Sequence, residues 1–189
     1  MKRRRLLLTV MLALMMIFCS CAKSEKYTET IHDRIHKNFS DIDSYTAKCK
    51  ITIHSQKNTV YSVILNYDKK DKMYKMTYDD IVITAKGDEA RIEKNGSALK
   101  TRSSSDYMPM FINQFFYYYY SGEESSLNVS KIKNFGTTTL EAQLGEGDKN
   151  AFSQKVWIDN QTAMPVKAEI YREDGSIYME IVYKTFVFK

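Results

Sequence analysis

The stretch Tyr45-Thr46-Ala47-Lys48-Cys49-Lys50-Ile51-Thr52-Ile53-His54 decides the fold class. Tyr45, Ala47, Cys49, Ile51 and Ile53 alternate with polar or charged residues, the period-two mark of a strand with one buried face. Gln56-Lys57-Asn58 reads as a turn, after which Tyr61, Val63, Leu65 and Tyr67 take up the same alternation. Tyr74, Met76 and Tyr78 follow the polar run Lys69–Lys72, and Ile81 to Ala85 follow them. Gly87-Asp88 breaks the chain again. Residues 90–94 and 97–102 then flank Asn95-Gly96, a dipeptide whose tolerance of positive φ suits a two-residue hairpin loop. The first half is expected to be an antiparallel meander.

The C-terminal half repeats the theme. Strands are expected over residues 128–135 and 137–144, with a Gly145–Asp148 turn, then over 155–159 and 165–172, and, past Glu173-Asp174-Gly175, over 176–188. The composition agrees: 14 Tyr, 9 Phe and 1 Trp against only 7 Gly and 2 Pro favour strands joined by short turns. Before the sheet, Ile31, Ile35 and Phe39 fall on one helical face, so an amphipathic helix is expected over residues 28–39. Thr28 or Thr30 can cap it, and Glu29 and Asp33 suit the positive end of its dipole.

The middle of the chain breaks the alternation. Residues 107–120 carry Met108, Met110, Phe111 and Ile112, then Phe115-Phe116-Tyr117-Tyr118-Tyr119-Tyr120. Asp106 can cap a helix here, with Pro109 tolerated in its first turn. Each aromatic ring can bury about 150–250 Å², too much to leave in water on a monomer. Two readings stand. The helix plugs the open face of a curved sheet, or Phe111, Phe115, Phe116, Tyr117, Tyr118, Tyr119 and Tyr120 anchor a partner; both hold if one side faces inward and the other outward.

The N-terminus reads as an address. Lys2-Arg3-Arg4-Arg5 precedes an apolar run from Leu6 to Phe18, broken only by Thr9 and closed by Cys19-Ser20-Cys21. At roughly 1.5 Å per residue the run reaches about 20 Å, short of the roughly 30 Å hydrocarbon core. Its end resembles a bacterial lipobox, which makes Cys21 the expected lipidated first residue and Ser20 the small residue before the cut; Phe18 stands where Leu is usual. The alternatives are an uncleaved anchor helix or plain secretion. The domain plan is residues 1–20 as signal peptide, 21–27 as lipidated cysteine and stalk, and 28–189 as one β-rich domain. A domain of that size buries roughly 70% of its unfolded surface and needs no staples.

Charge and cysteines narrow the function. Four of the 28 Lys and Arg residues lie in the signal, so the remainder nearly balances 23 Asp and Glu, and no nucleic-acid partner is expected. Cys49 has no partner once Cys21 is acylated, so neither a disulfide framework nor a redox motif is expected. It sits on the inward register, where a cysteine packs as a small hydrophobe. His32 and His36 have ligand spacing but no third ligand, so they read as solvated. No Gly-x-Ser-x-Gly elbow or phosphate-binding Gly-rich loop is present. Asp41 with Asp43 and Asp79 with Asp80 read as turn carboxylates. Asn128-Val129-Ser130 and Asn160-Gln161-Thr162 match a eukaryotic glycosylation pattern that a bacterial lipoprotein does not use. No catalytic centre, metal site or cofactor is expected, and the chain is not expected to be an enzyme.

The block Val156-Trp157-Ile158-Asp159, Met164-Pro165-Val166-Lys167 with Glu169-Ile170, then Asp174-Gly175 and a long last strand resembles the lipoprotein-carrier fold. The resemblance implies an α+β domain: an incomplete antiparallel barrel around helices, with an apolar cavity. The Cys-Ser-Cys ending and the Tyr45-Thr46-Ala47-Lys48 opening resemble the germination lipoproteins of clostridial spore formers. That resemblance implies a non-enzymatic lipoprotein, anchored outside the cytoplasm on a spore or forespore membrane. It further implies binding and activation of a zinc-dependent N-acetylmuramoyl-L-alanine amidase acting on spore cortex, and a homodimer with exchanged elements. The alternative is a lipid or lipoprotein carrier.

Overall fold

A computed structural model describes residues 29–102, 105–122, 136–144 and 150–189. The signal, Cys21, the stalk, the strand expected over 128–135 with its Asn128 motif, and the 145–148 turn lie outside the described residues. Ile31–Lys189 forms one compact unit.

Helix α1, Ile31–Phe39, turns Ile35 and Phe39 fully inward. It begins three residues later than expected, at the residue after Thr30. Its guanidinium Arg34 donates to the carbonyls of Asn160 and Gln161, which ties the helix to a turn late in the chain.

The meander follows as expected. Strands β1 (Ser44–Ile53), β2 (Thr59–Asp68), β3 (Met73–Tyr78), β4 (Ile81–Lys86), β5 (Glu89–Lys94) and β6 (Ser97–Arg102) pair successively antiparallel. Asn95 and Gly96 carry φ of 50° and 79°, the left-handed pair that an Asn-Gly hairpin supplies. The second half contributes β7 (Thr137–Gln143), β8 (Ser153–Asp159), β9 (Pro165–Tyr171) and β10 (Ile177–Phe188).

The ten strands form one sheet in the order β6-β5-β4-β3-β2-β1-β10-β9-β8-β7. The β1–β10 seam joins six strands on one side to four on the other, and β6 and β7 are the outermost strands among the described residues. This is the α+β incomplete barrel expected from the sequence, weighted toward sheet. On β1, Tyr45, Ala47, Cys49 and Ile51 are all buried, as their alternation requires.

β10 departs from simple alternation. Its inward residues run Met179, Ile181, Tyr183; then Lys184 and Thr185 are both exposed, and Phe186 and Phe188 turn back toward the core. A β-bulge opposite Lys48/Cys49 accounts for this, because one extra residue flips the phase of everything after it. Phe186 thereby stacks on Tyr45 at 4.8 Å, and Phe188 reaches Phe39 at 5.4 Å.

The aromatic stretch is two elements rather than one helix. A 3-10 turn spans Ser105–Met110, and α2 spans Ile112–Ser121. Pro109 is accommodated inside the 3-10 turn, and Phe111 leaves the helical region at φ −91° and ψ 120°, so the α-helix starts at Ile112. Its cap comes from elsewhere: the Tyr45 hydroxyl on β1 accepts the Ile112 N–H at 3.1 Å. The expected Asp106 cap gives way to this long-range one, because the helix begins too far along the chain.

Candidate functional site

α2 divides its aromatic residues by face. Ile112, Phe115 and Phe116 are fully buried, with Tyr119 half-buried one turn on, the i, i+3, i+4, i+7 stripe of a helix with one core face. Phe111 before the helix is also fully buried. Phe116 packs on Phe39 and Phe111 on Tyr74, and Phe111, Phe115 and Phe116 are all buried in the folded chain. Of the seven aromatics expected to contact a partner, the folded chain presents Tyr117 and Tyr120 at its surface and covers Tyr118 and Tyr119 in part. The other face is open. Tyr117 is 65% exposed and Tyr120 39%, while Tyr118 is intermediate.

A recess of about 410 Å³ lies where the C-terminal end of α1, the β2–β3 turn region and the outer face of α2 meet. Phe39, Tyr67, Tyr74, Phe116, Tyr117 and Tyr120 supply its aromatic walls. Asn113 and Gln114 supply amides. Asn113 Nδ2 donates to the Tyr74 hydroxyl at 3.2 Å and Gln114 Nε2 donates to it at 2.7 Å. Tyr45 Oη donates to Asn113 Oδ1 at 3.1 Å, so the helix cap and the recess share one hydrogen-bond chain. At the rim, Lys69 pairs with Asp41.

A second, smaller cleft of about 140 Å³ is apolar. Ile51, Val63, Met76 and Tyr78 line it from the sheet, and Met110 closes it from the 3-10 turn.

The remaining candidates fall into structural places. Cys49 is buried and unpaired, and burial pushes its thiol up to about 12, which leaves no thiolate for attack at neutral pH. His32 and His36 are exposed, and His36 stands edge-on to Tyr120 at 5.3 Å. Among the described residues no three His, Cys, Asp or Glu cluster as metal ligands would. Asp41 holds Lys69, and the Asp43 carbonyl accepts the Lys69 N–H at 2.7 Å. Asp79 sits at φ 48° in the tight β3–β4 turn. In the Asp159–Met164 turn, the Thr162 N–H and hydroxyl, then the Gln161 N–H, hold the Asp159 carboxyl below its usual range.

Two features escaped sequence reasoning. Gln154 occupies an inward position on β8, fully buried, with neither amide atom hydrogen-bonded. Its polar identity at a core register, between Ala142 and Ile170 on neighbouring strands, was the available signal. The Tyr183 hydroxyl is likewise buried and unpaired.

Comparison with known proteins adds three structures and one family. The family described as Sporulation protein YdcC-like matches residues 1–189. No curated protein matches the chain. A chain in the structure of the CwlD amidase from Clostridioides difficile in complex with the GerS lipoprotein is similar over 87% of this chain and 99% of that one, at 20% identity and a TM-score of 0.50. A LolA superfamily protein from Nitrosomonas europaea is similar over 86% of this chain and 94% of that one, at 11% identity and a TM-score of 0.42. The lipoprotein LppX of Mycobacterium tuberculosis is similar over 81% and 91%, at 16% identity and 0.44. At 20% identity the likeness to the chain of the amidase–lipoprotein complex is one of fold.

Proposed function

The chain belongs to the YdcC-like sporulation family, and from that premise we propose that it is a non-enzymatic adaptor that binds and activates a cell-wall amidase. The observation that carries the reading is the fold it shares with a chain of the CwlD–GerS complex, joined to membership of a sporulation family. The buried, protonated Cys49 and the exposed, unclustered histidines add no chemistry of their own. In this reading Cys21 is acylated and holds residues 28–189 outside the cytoplasm on a spore or forespore membrane. Two acyl chains hold a protein on a membrane almost permanently. The domain raises amidase activity only by binding the active, zinc-loaded enzyme more tightly than the inactive one. In this reading two copies form a homodimer with exchanged elements.

The test combines the purified full chain with the amidase of the same organism. Co-purification, together with faster cleavage of cortex peptidoglycan than by the amidase alone, is expected. No association, or association with unchanged activity and zinc content, removes the reading. Light scattering that finds only monomer at high concentration removes the exchanged dimer.

A second reading, a lipid or lipoprotein carrier, draws on the apolar cleft between the sheet and Met110. At about 140 Å³ the cleft is smaller than the roughly 300–1,000 Å³ of small-molecule sites, which favours the adaptor. Acyl chains recovered by organic extraction of the purified protein would reverse that preference.

A further inference from the structure

The 410 Å³ recess beside α2 has the size of a small-molecule site and the mixture of surfaces such sites use, extensive aromatic wall with a few placed polar groups. Its polar groups are not all consumed by the protein. The Tyr74 hydroxyl oxygen already accepts from Asn113 and Gln114, so its own proton is left to donate into the recess. With Gln114 Nε2 committed to Tyr74, its amide oxygen remains an acceptor. Among the described residues the hydroxyls of Tyr67, Tyr117 and Tyr120 have no protein partner either. The recess therefore offers donors and acceptors side by side against flat rings.

Charge selects further. The cation at the rim, Lys69, is neutralised by Asp41, so nothing there attracts a phosphate or a free acid. An acyl chain fits no better, because it would strip water from the Gln114 oxygen, the Tyr74 proton and the ion pair without replacing those bonds. What matches is an uncharged ligand with hydroxyl and amide groups on its edges and C–H faces to lay on the rings.

We infer that this recess is a saccharide-binding site for a neutral oligosaccharide of N-acetylated sugars. The sugar's C–H face rests on Tyr117 and Tyr120, and its hydroxyl and acetamido groups bond Tyr74 and Gln114. This reassigns the exposed tyrosines of α2 from a protein partner to a glycan. It stands independently of the amidase reading, since the site needs no second protein.

The test is calorimetric titration of the full chain in detergent with the tetramer of N-acetylglucosamine, and in parallel with maltotetraose, which lacks acetamido groups. Saturable binding of the acetylated tetramer, and weaker binding of maltotetraose, are expected. Tyr117→Ala, at an exposed position that leaves the fold intact, is expected to bind about tenfold more weakly with an unchanged melting temperature, the loss of one aromatic platform. Gln114→Leu is expected to lose the preference for the acetylated sugar. No binding at millimolar sugar overturns the inference and leaves the amidase reading untouched. So does a Tyr117→Ala variant that binds sugar normally but no longer captures the amidase, which would give the surface to a protein partner.

Discussion

Phe39 of α1 and Phe116 of α2 lie face to face, their ring centroids 4.3 Å apart and their planes 12° from parallel. Both rings are buried, and the pair joins the two helices. Phe116→Ala is therefore expected to cost about 3–5 kcal/mol in denaturant unfolding, the range for emptying a buried aromatic site. A double-mutant cycle with Phe39→Ala should recover about 0.5–1.5 kcal/mol of coupling between the rings. Tyr117→Ala, one residue on but facing water, should stay within about 0.5 kcal/mol of the parent. Equal losses at Phe116 and Tyr117 would contradict the division of α2 into two faces.

Gln154 makes the opposite prediction. Its amide is fully buried and unbonded, and leaving such a group unpaired costs about 1–3 kcal/mol. Gln154→Leu or Gln154→Met keeps the approximate volume and removes the orphan, so the melting temperature should rise. A fall would mean that the amide is satisfied in solution.

Alkaline pH should undermine the centre of the sheet. Burial pushes the Cys49 thiol from its ordinary value of 9.0 to about 12, and pushes the Tyr45 and Tyr183 hydroxyls upward too. The unfolded chain ionises first, so it binds fewer protons than the native chain and stability falls as pH rises. For Cys49 this contribution is intact below about pH 9 and is lost progressively toward pH 12. Cys49→Ala should show a shallower decline in unfolding free energy over that interval. The same burial makes the native thiol inert to disulfide reagents until the protein unfolds.

On the outer face of the C-terminal strands, Lys167 sits 2.8 Å from Glu169, 2.7 Å from Glu180 and 5.4 Å from the centre of the Trp157 ring. Burial pushes the Glu169 carboxyl up, but bonds from Lys167 and Tyr171 overcome it and hold the group below its ordinary range. That stabilisation is present above the usual carboxylate pKa and disappears as pH falls through the lowered value. Lys167→Met should cost about 1–2 kcal/mol at neutral pH, between an exposed and a buried pair. The cost should shrink in acid, as urea titrations at two pH values would show.

Lipidation at Cys21 is tested by Cys21→Ala. The variant should lose metabolic labelling with fatty acid and move from the membrane fraction to the soluble one. Retention on the membrane without label would point to an uncleaved anchor instead.

The elements readable from sequence were those whose reasons are local. The alternation of Tyr45 to Ile53 and the Asn95-Gly96 loop each carry their geometry within a few residues, so β1, β5 and β6 fall where expected. Helix α1 was legible for the same reason, from Ile31, Ile35 and Phe39. What was not legible depends on distant partners. The cap of α2 is the Tyr45 hydroxyl, 67 positions earlier in the chain, which no local pattern announces. The inward turn of Phe186 and Phe188 follows from a bulge against Cys49, invisible until β10 is laid beside β1. The recess needed both the placement of α2 and the β2–β3 region, so its residues read separately as aromatics and amides without a common purpose.

The β1–β10 seam is also the latest joint of the sheet. β1, the first strand, pairs with β10, the tenth, and the Lys189 N–H closes on the Ser44 carbonyl at 3.1 Å. Synthesis makes β2 to β9 first, so the β1–β10 seam waits for Ile177–Phe188 to emerge. Contacts so distant along the chain form slowly. A premature stop after Arg172 would therefore not trim an edge; it would leave the six strands β1–β6 and the three strands β7–β9 without the strand that joins them in one sheet.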